Sequence, residues 1–78
     1  MKSIKIVGSG CAKCNKLYDM TDQAAKELGI EYTLDKITEI GEFAAFGVMI
    51  TPAMIVDDKV KLSGSVPSLE KIKQLIQE

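Results

Sequence analysis

Cys11 and Cys14, three positions apart, carry the most distinctive chemistry in this chain. In Cys11-Ala12-Lys13-Cys14 the thiols stand i, i+3, where side chains on a first helical turn meet on one face, so the pair can close a disulfide. Gly8-Ser9-Gly10 runs directly into the motif, and the apolar residues beyond it keep helical spacing, so the pair sits at the mouth of a helix. There the unpaired N–H groups and the positive end of the macrodipole converge on the first thiol and favour its thiolate. A free cysteine titrates near ~8.5, whereas cysteines in such motifs span roughly 3.5 to 7.5, so Cys11 is expected to be substantially ionised near neutral pH. Lys13 adds a positive charge beside the pair, and Gly10 lies in the turn that leads into it. Both are expected to shape the site.

The chemistry that follows is thiol–disulfide exchange. Cys11, at the helix tip, attacks a substrate disulfide and forms a mixed disulfide; Cys14, one turn deeper, resolves it and leaves an internal Cys11–Cys14 bond. The same two thiolates could instead carry Cu(I) or zinc as a transporter or sensor. With no His and no third Cys, one chain cannot close the four N or S ligands that structural zinc prefers, so that alternative needs two-coordinate Cu(I) or a zinc shared across a dimer. A redox-inert interaction module is the third class, and two intact cysteines speak against it.

The elements that must hold the pair are legible in order. Ile4, Ile6 and Val7 predict a buried strand of about five residues ending at the glycine turn. From Cys11 to Leu28, Leu17, Met20, Ala24, Ala25 and Leu28 recur at helical spacing, and Gly29 stops the helix. Ile30, Tyr32 and Leu34 alternate with polar residues as in a half-buried strand. Thr38 is expected to cap a short second helix whose Ile40, Phe43, Ala44 and Phe46 share one side, closed by Gly47. Ala53-Met54-Ile55-Val56, the turn Asp57-Asp58-Lys59 and Val60-Lys61-Leu62 predict a hairpin. Pro67 fits a first helical turn, and Leu69, Ile72, Leu75 and Ile76 form the stripe of a last helix. The order βαβαββα predicts an α/β fold: a right-handed parallel first unit and a four-stranded mixed sheet flanked by three helices.

The bulk properties bound the function. A 78-residue chain, 46% hydrophobic and 27% charged, suits one domain over residues 1–78 with a modest core and no elaborate cavity. Ten basic against eleven acidic residues, with no run of either sign, argue against nucleic acid as a partner. The opening residues lack the apolar core of a signal peptide, and no apolar run approaches a bilayer span, so a cytoplasmic, membrane-free monomer is expected. In that reducing compartment a close cysteine pair reads as catalytic or metal-binding rather than as a staple. Met49 and Ile50 could form an apolar rim for partner proteins, with core the expected role for at least one. Phe43 and Phe46 are read as packing residues.

Thr51-Pro52 precedes the third strand; on residue type alone its peptide bond reads as trans and Pro52 as a strand-start proline. Together, the βαβαββα order, CxxC opening the first helix and Thr-Pro before the third strand resemble the thioredoxin-like superfamily. The closer likeness is to the small archaeal and bacterial thioredoxin- or glutaredoxin-like redox-active disulfide proteins. The resemblance covers essentially the whole chain. It implies that Cys11 is the nucleophile, Cys14 the resolving cysteine, and Pro52 a cis-proline packed beside the disulfide that helps to exclude metal. It further implies that the backbone of Thr51 pairs with a substrate segment and that Gly64 lets substrate approach. No cofactor beyond the Cys11–Cys14 disulfide is implied. The partners would be protein disulfides and an upstream reductant, either a thioredoxin-reductase-like enzyme or a small thiol.

The chain departs from the family pattern at several points. Thioredoxins carry Trp before the first Cys and Gly-Pro between the two, where this chain has Gly10 and Ala12-Lys13. Six residues before Cys11, where thioredoxins bury an Asp, stands Lys5. The dipeptide is also not the Pro-Tyr of many glutaredoxins.

Overall fold

A computed structural model of the chain describes residues 1–10 and 12–78. The alternation of Ile4 and Ile6 with Lys5 and Val7 makes β1 (Lys2–Val7) a strand with apolar residues on both faces, and it takes a central place in the sheet. A long amphipathic helix, α1 (Ala12–Leu28), follows, and Gly29 ends it with φ of 69° and an N–H bond to the carbonyl of Lys26. The chain returns as β2 (Tyr32–Ile37), parallel to β1 in the register Ile4–Leu34 and Val7–Ile37. β2 starts two residues later than the alternation from Ile30 suggested and runs on through Ile37, because β1 offers partners along its whole length.

α2 (Ile40–Phe43) is a single turn that tightens into a 3₁₀ turn over Ala44–Phe46, closed by Gly47 at φ 77°. Its N-cap is Glu39, with no side-chain cap bond, so the capping role expected of Thr38 is not taken up. Ile40 is exposed rather than part of the apolar side, since so short an element presents only Phe43 and Phe46 to the sheet.

β3 (Ala53–Val56) pairs antiparallel with β1 and with β4 (Lys59–Ser63), giving the sheet order β2-β1-β3-β4. Asp57 and Asp58, at φ of 49° and 68°, make the two-residue hairpin turn in the left-handed region that Asp tolerates better than most residues. The Asp57 carboxylate also accepts the Ser3 N–H at 3.0 Å, which ties the turn to β1 and is the leading cause holding its pKa below the usual range. α3 (Leu69–Gln77) begins two residues later than a helix with Pro67 as its first residue would. Ser68 is its N-cap, accepting the Lys71 N–H at 3.3 Å, and Pro67 stands just outside.

Strand parity sorts the core into two layers. Ile4, Ile6, Met54 and Val56 meet Leu17, Ala24 and Ala25 of α1 and Ile72, Leu75 and Ile76 of α3 on one face. On the other, Val7, Ala53 and Ile55 pack with Val48 under Phe43 and Phe46. Each fully buried Ile or Leu contributes about 1.5–3 kcal/mol, so the larger layer supplies most of the driving force and fixes α1 on the sheet. The sheet is therefore flanked by helices on both sides, with α1 delivering its first turn to the C-terminal end of β1.

Candidate functional site

Four chain segments converge at that end of the sheet: the exit of β1, the first turn of α1, the entry to β3 and the exit of β4. Gly8 continues β1 by donating its N–H to the carbonyl of Ile37 at 2.9 Å. Cys14, in the first turn of α1, is 4% exposed and disulfide-bonded. Cys11 lies outside the described residues, and with it the expectations of an exposed helix-tip nucleophile with a lowered pKa.

The sequence places Gly8 in a flexible turn, whereas in the fold it is buried against Cys14. A Cβ there would fall on Cys14 Sγ and within 2.8 Å of its Cβ. Only a residue without a side chain lets the first turn of α1 come so close to the strand end. The signal was present in the glycine between an apolar strand and a CxxC, but its meaning depends on tertiary contact.

On the other side of β1, Val7 pairs with Ala53, which brings the preceding Thr51-Pro52 alongside Gly8. The Thr51–Pro52 peptide bond is cis, and Pro52 is buried with its carbonyl accepting the Gly64 N–H at 2.8 Å. Neither the N–H nor the C=O of Thr51 is engaged by another backbone group among the described residues. Gly64 adopts φ of 85°, and a Cβ on it would lie 2.9 Å from Ile50 Cγ2. The close approach at Gly64 is thus used by Ile50, a neighbour within the chain. Pro52, Thr51 and Gly64 sit together with Ile50 at one side of the site.

Gly10 is exposed at φ 89°, and among the described residues nothing lies within 4 Å of a Cβ built on it, so its positive φ rather than a close approach is what calls for glycine. Lys13 is exposed on α1 and forms no salt bridge among the described residues. Lys5 reaches toward the hairpin. Its amine lies 3.9 Å from Asp58, 3.3 Å from Ser3 Oγ and 5.8 Å from the Phe46 ring centroid, toward the hairpin at the opposite end of β1. The position that holds a buried Asp in thioredoxins therefore serves the hairpin in this chain.

Both Met49 and Ile50 are exposed, at 96% and 61%. The core role expected of at least one of them is not taken up, because Val48 alone of this segment turns into the layer under Phe43 and Phe46. Phe43 and Phe46 pack against that layer, as their spacing suggested.

Further along α1 two carboxylates are tightly paired. Tyr32 Oη donates to Asp22 at 2.5 Å, and Lys26 pairs with the same carboxylate at 2.9 Å; the Tyr32 bond is the larger cause holding Asp22 below the usual carboxylate range. Lys73 does the same for Glu27 at 2.6 Å, tying α3 to α1. A shallow hollow of about 430 Å³ lined by Asp19, Asp22, Gln23, Lys26 and Glu27 opens on this flank. At a ~1.5 Å rise per residue its centre is roughly 14 Å along the helix from Cys14, so it is separate from the cysteine end. Among the described residues no group of three or more His, Cys, Asp or Glu is placed to hold a metal ion. None of the described helices is long and apolar enough to cross a membrane.

The thioredoxin domain family model matches residues 2–77. A thioredoxin of Methanocaldococcus jannaschii is 40% identical over 74 residues, covering 95% of this chain and 85% of that protein. A thioredoxin of Methanothermobacter thermautotrophicus is 38% identical over 76 residues, covering 97% of this chain and 99% of that protein. With its four-stranded mixed sheet, flanking helices and Thr51-Pro52 turn alongside Gly8, the chain belongs to the thioredoxin domain family.

Proposed function

We propose that this chain, as a single domain over residues 1–78, is a protein disulfide oxidoreductase working through Cys11 and Cys14. The observation that carries the reading is Cys14 itself: a buried, disulfide-bonded cysteine in the first turn of a helix, seated on Gly8, which the sheet register sets alongside Thr51-Pro52. Cys11 is the other cysteine in the sequence and its proposed partner. Family membership supports redox chemistry of the thioredoxin kind.

The Cys11 thiolate attacks one sulfur of a protein disulfide; the substrate S–S bond breaks and one substrate thiolate leaves. Cys14 then attacks the Cys11 sulfur of the mixed disulfide, the second substrate thiolate leaves, and the Cys11–Cys14 bond closes. The substrate gains two electrons and the protein loses two, to be restored by a thioredoxin-reductase-like enzyme or a small thiol. The backbone of Thr51 pairs with the substrate segment, Gly64 and Ile50 border it, and Lys13 and Gly10 flank the attacking thiol. The working form is a monomer in the cytoplasm, where dithiols are kept reduced.

Insulin-disulfide reduction driven by dithiothreitol tests this. Wild type should exceed the dithiothreitol background, and Cys11→Ser should fall to it, whereas Cys14→Ser should accumulate the unresolved mixed disulfide. Equal rates for wild type and Cys11→Ser would overturn the reading.

A further inference from the structure

The four methionines of this chain differ sharply in environment. Met54 is fully buried, with the Thr21 hydroxyl on its sulfur at 3.8 Å, and Met20 is half-buried against the main core. Met1 is exposed at the terminus. Met49 is 96% exposed, yet it is internal and two residues from the cis Thr51–Pro52 bond. Its neighbour Ile50 touches Gly64 and is 61% exposed, so Met49 is the more open of the two apolar residues that lead into Thr51-Pro52. A single exposed apolar side chain is ordinary on a protein surface. A flexible thioether on the border of a cysteine site is a group whose polarity can be changed by one oxygen atom.

We propose that Met49 is a sulfoxide modification site through which a hydroperoxide weakens substrate capture. The Sδ lone pair attacks the outer oxygen of hydrogen peroxide; the O–O bond breaks, an S–O bond forms, and the second oxygen leaves as water after proton transfer. The sulfur loses two electrons and the peroxide gains two. The product replaces an apolar, flexible contact with a polar one, a reversible rung of methionine oxidation. Met54, sealed by the core, is spared, and so is the fold. The effect on substrate rests on the oxidoreductase reading; the modification itself does not.

The disulfide form, whose thiols do not compete for oxidant, is treated with hydrogen peroxide, quenched with catalase and mapped by peptide mass spectrometry. Met49 should gain one oxygen at least about tenfold faster than Met54, with exposed Met1 as the internal reference for an unprotected thioether. Oxidation of Met54 or Met20 at the rate of Met49 overturns the assignment. In the insulin assay the treated protein should show KM raised about fivefold with kcat little changed, the pattern of lost uniform binding. Within each variant, the ratio of treated to untreated rate should return to unity in Met49→Leu, although Met1 is oxidised there too, and untreated Met49→Gln should reproduce the raised KM. A treated wild type with unchanged KM despite full Met49 oxidation overturns the proposed consequence. Absence of activity before treatment overturns the oxidoreductase reading and leaves the site to be judged by the mapping alone.

Discussion

Replacing Gly8 by alanine tests how tightly the first turn of α1 is seated on the sheet. Gly8 is not among the glycines with positive φ, so alanine meets no backbone penalty. By restricting the unfolded chain it would by itself stabilise by ~0.4–1 kcal/mol. Against this stands the new Cβ, which would fall on Cys14 Sγ and 2.8 Å from Cys14 Cβ. Overpacking of a buried site costs about 1–3 kcal/mol, and the upper end applies where the opposing atom cannot move. In the disulfide form Cys14 Sγ is covalently pinned, so the net loss should be ~2 kcal/mol, a fall in Tm of roughly 8–16 °C for a domain of this size. In the dithiol form Cys14 can turn its sulfur aside, and the net loss should shrink to ~0.6 kcal/mol.

The difference has a second readout. Because Gly8→Ala penalises the disulfide form more than the dithiol form, it should raise the midpoint potential of the couple. A gap of ~1.4 kcal/mol corresponds to about 30 mV for two electrons. Denaturant melts of both forms and a glutathione titration of the potential should therefore agree through one thermodynamic cycle. Equal losses in the two forms, or a potential unchanged within error while the disulfide form is destabilised, would refute the steric account. In a Cys14→Ala background, where Sγ is gone and only the Cβ contact is left, the penalty of Gly8→Ala should fall. No change there would likewise count against it.

Gly64→Ala should lose ~1–2 kcal/mol for the left-handed φ plus a steric part against Ile50, and adding Ile50→Ala should restore only the steric part in a double-mutant melt. Ser68→Ala removes the N-cap of α3 and should cost about 1 kcal/mol, read as a Tm lowered by roughly 4–8 °C. Asp22 is held below its ordinary pKa first by Tyr32 and then by Lys26, so its stabilisation is complete above the unfolded value near ~3.9 and is lost as pH falls through the folded value. Tyr32→Phe should accordingly flatten the loss of stability between about pH 4 and the acid transition, measured as the denaturant midpoint against pH; an unchanged slope would remove Tyr32 as the leading cause.

The parts of this molecule legible in the sequence are those whose meaning is periodic or local. Ile4 and Ile6, the helical run from Leu17 to Leu28, and the Asp57-Asp58 turn each state their element through spacing or through a residue suited to a positive φ. Thr38 and Pro67 mislead by one or two positions, because neighbouring residues compete for a cap and only the packed helix decides which wins. Met49 and Ile50 misled for a different reason. In a short apolar run between a glycine and a proline no period reveals which residue turns inward, and Val48 takes the core place because it alone reaches the layer under Phe43 and Phe46.

At the site the division is sharper. The cysteine spacing announced chemistry, and Thr51-Pro52 announced a bend, but the contacts that bind them into one place belong to glycines. Gly8 admits Cys14 to the end of β1, and Gly64 admits Ile50 beside Pro52. A missing side chain carries no sign of which atom occupies the space. Lys5 makes the same point in reverse. Counting back from the cysteines places it where an acid is looked for, whereas register places it opposite Ile55 and directs its amine to Asp58 at the far end of the sheet. Sequence distance located the residue, but strand direction decided which end of the molecule it serves.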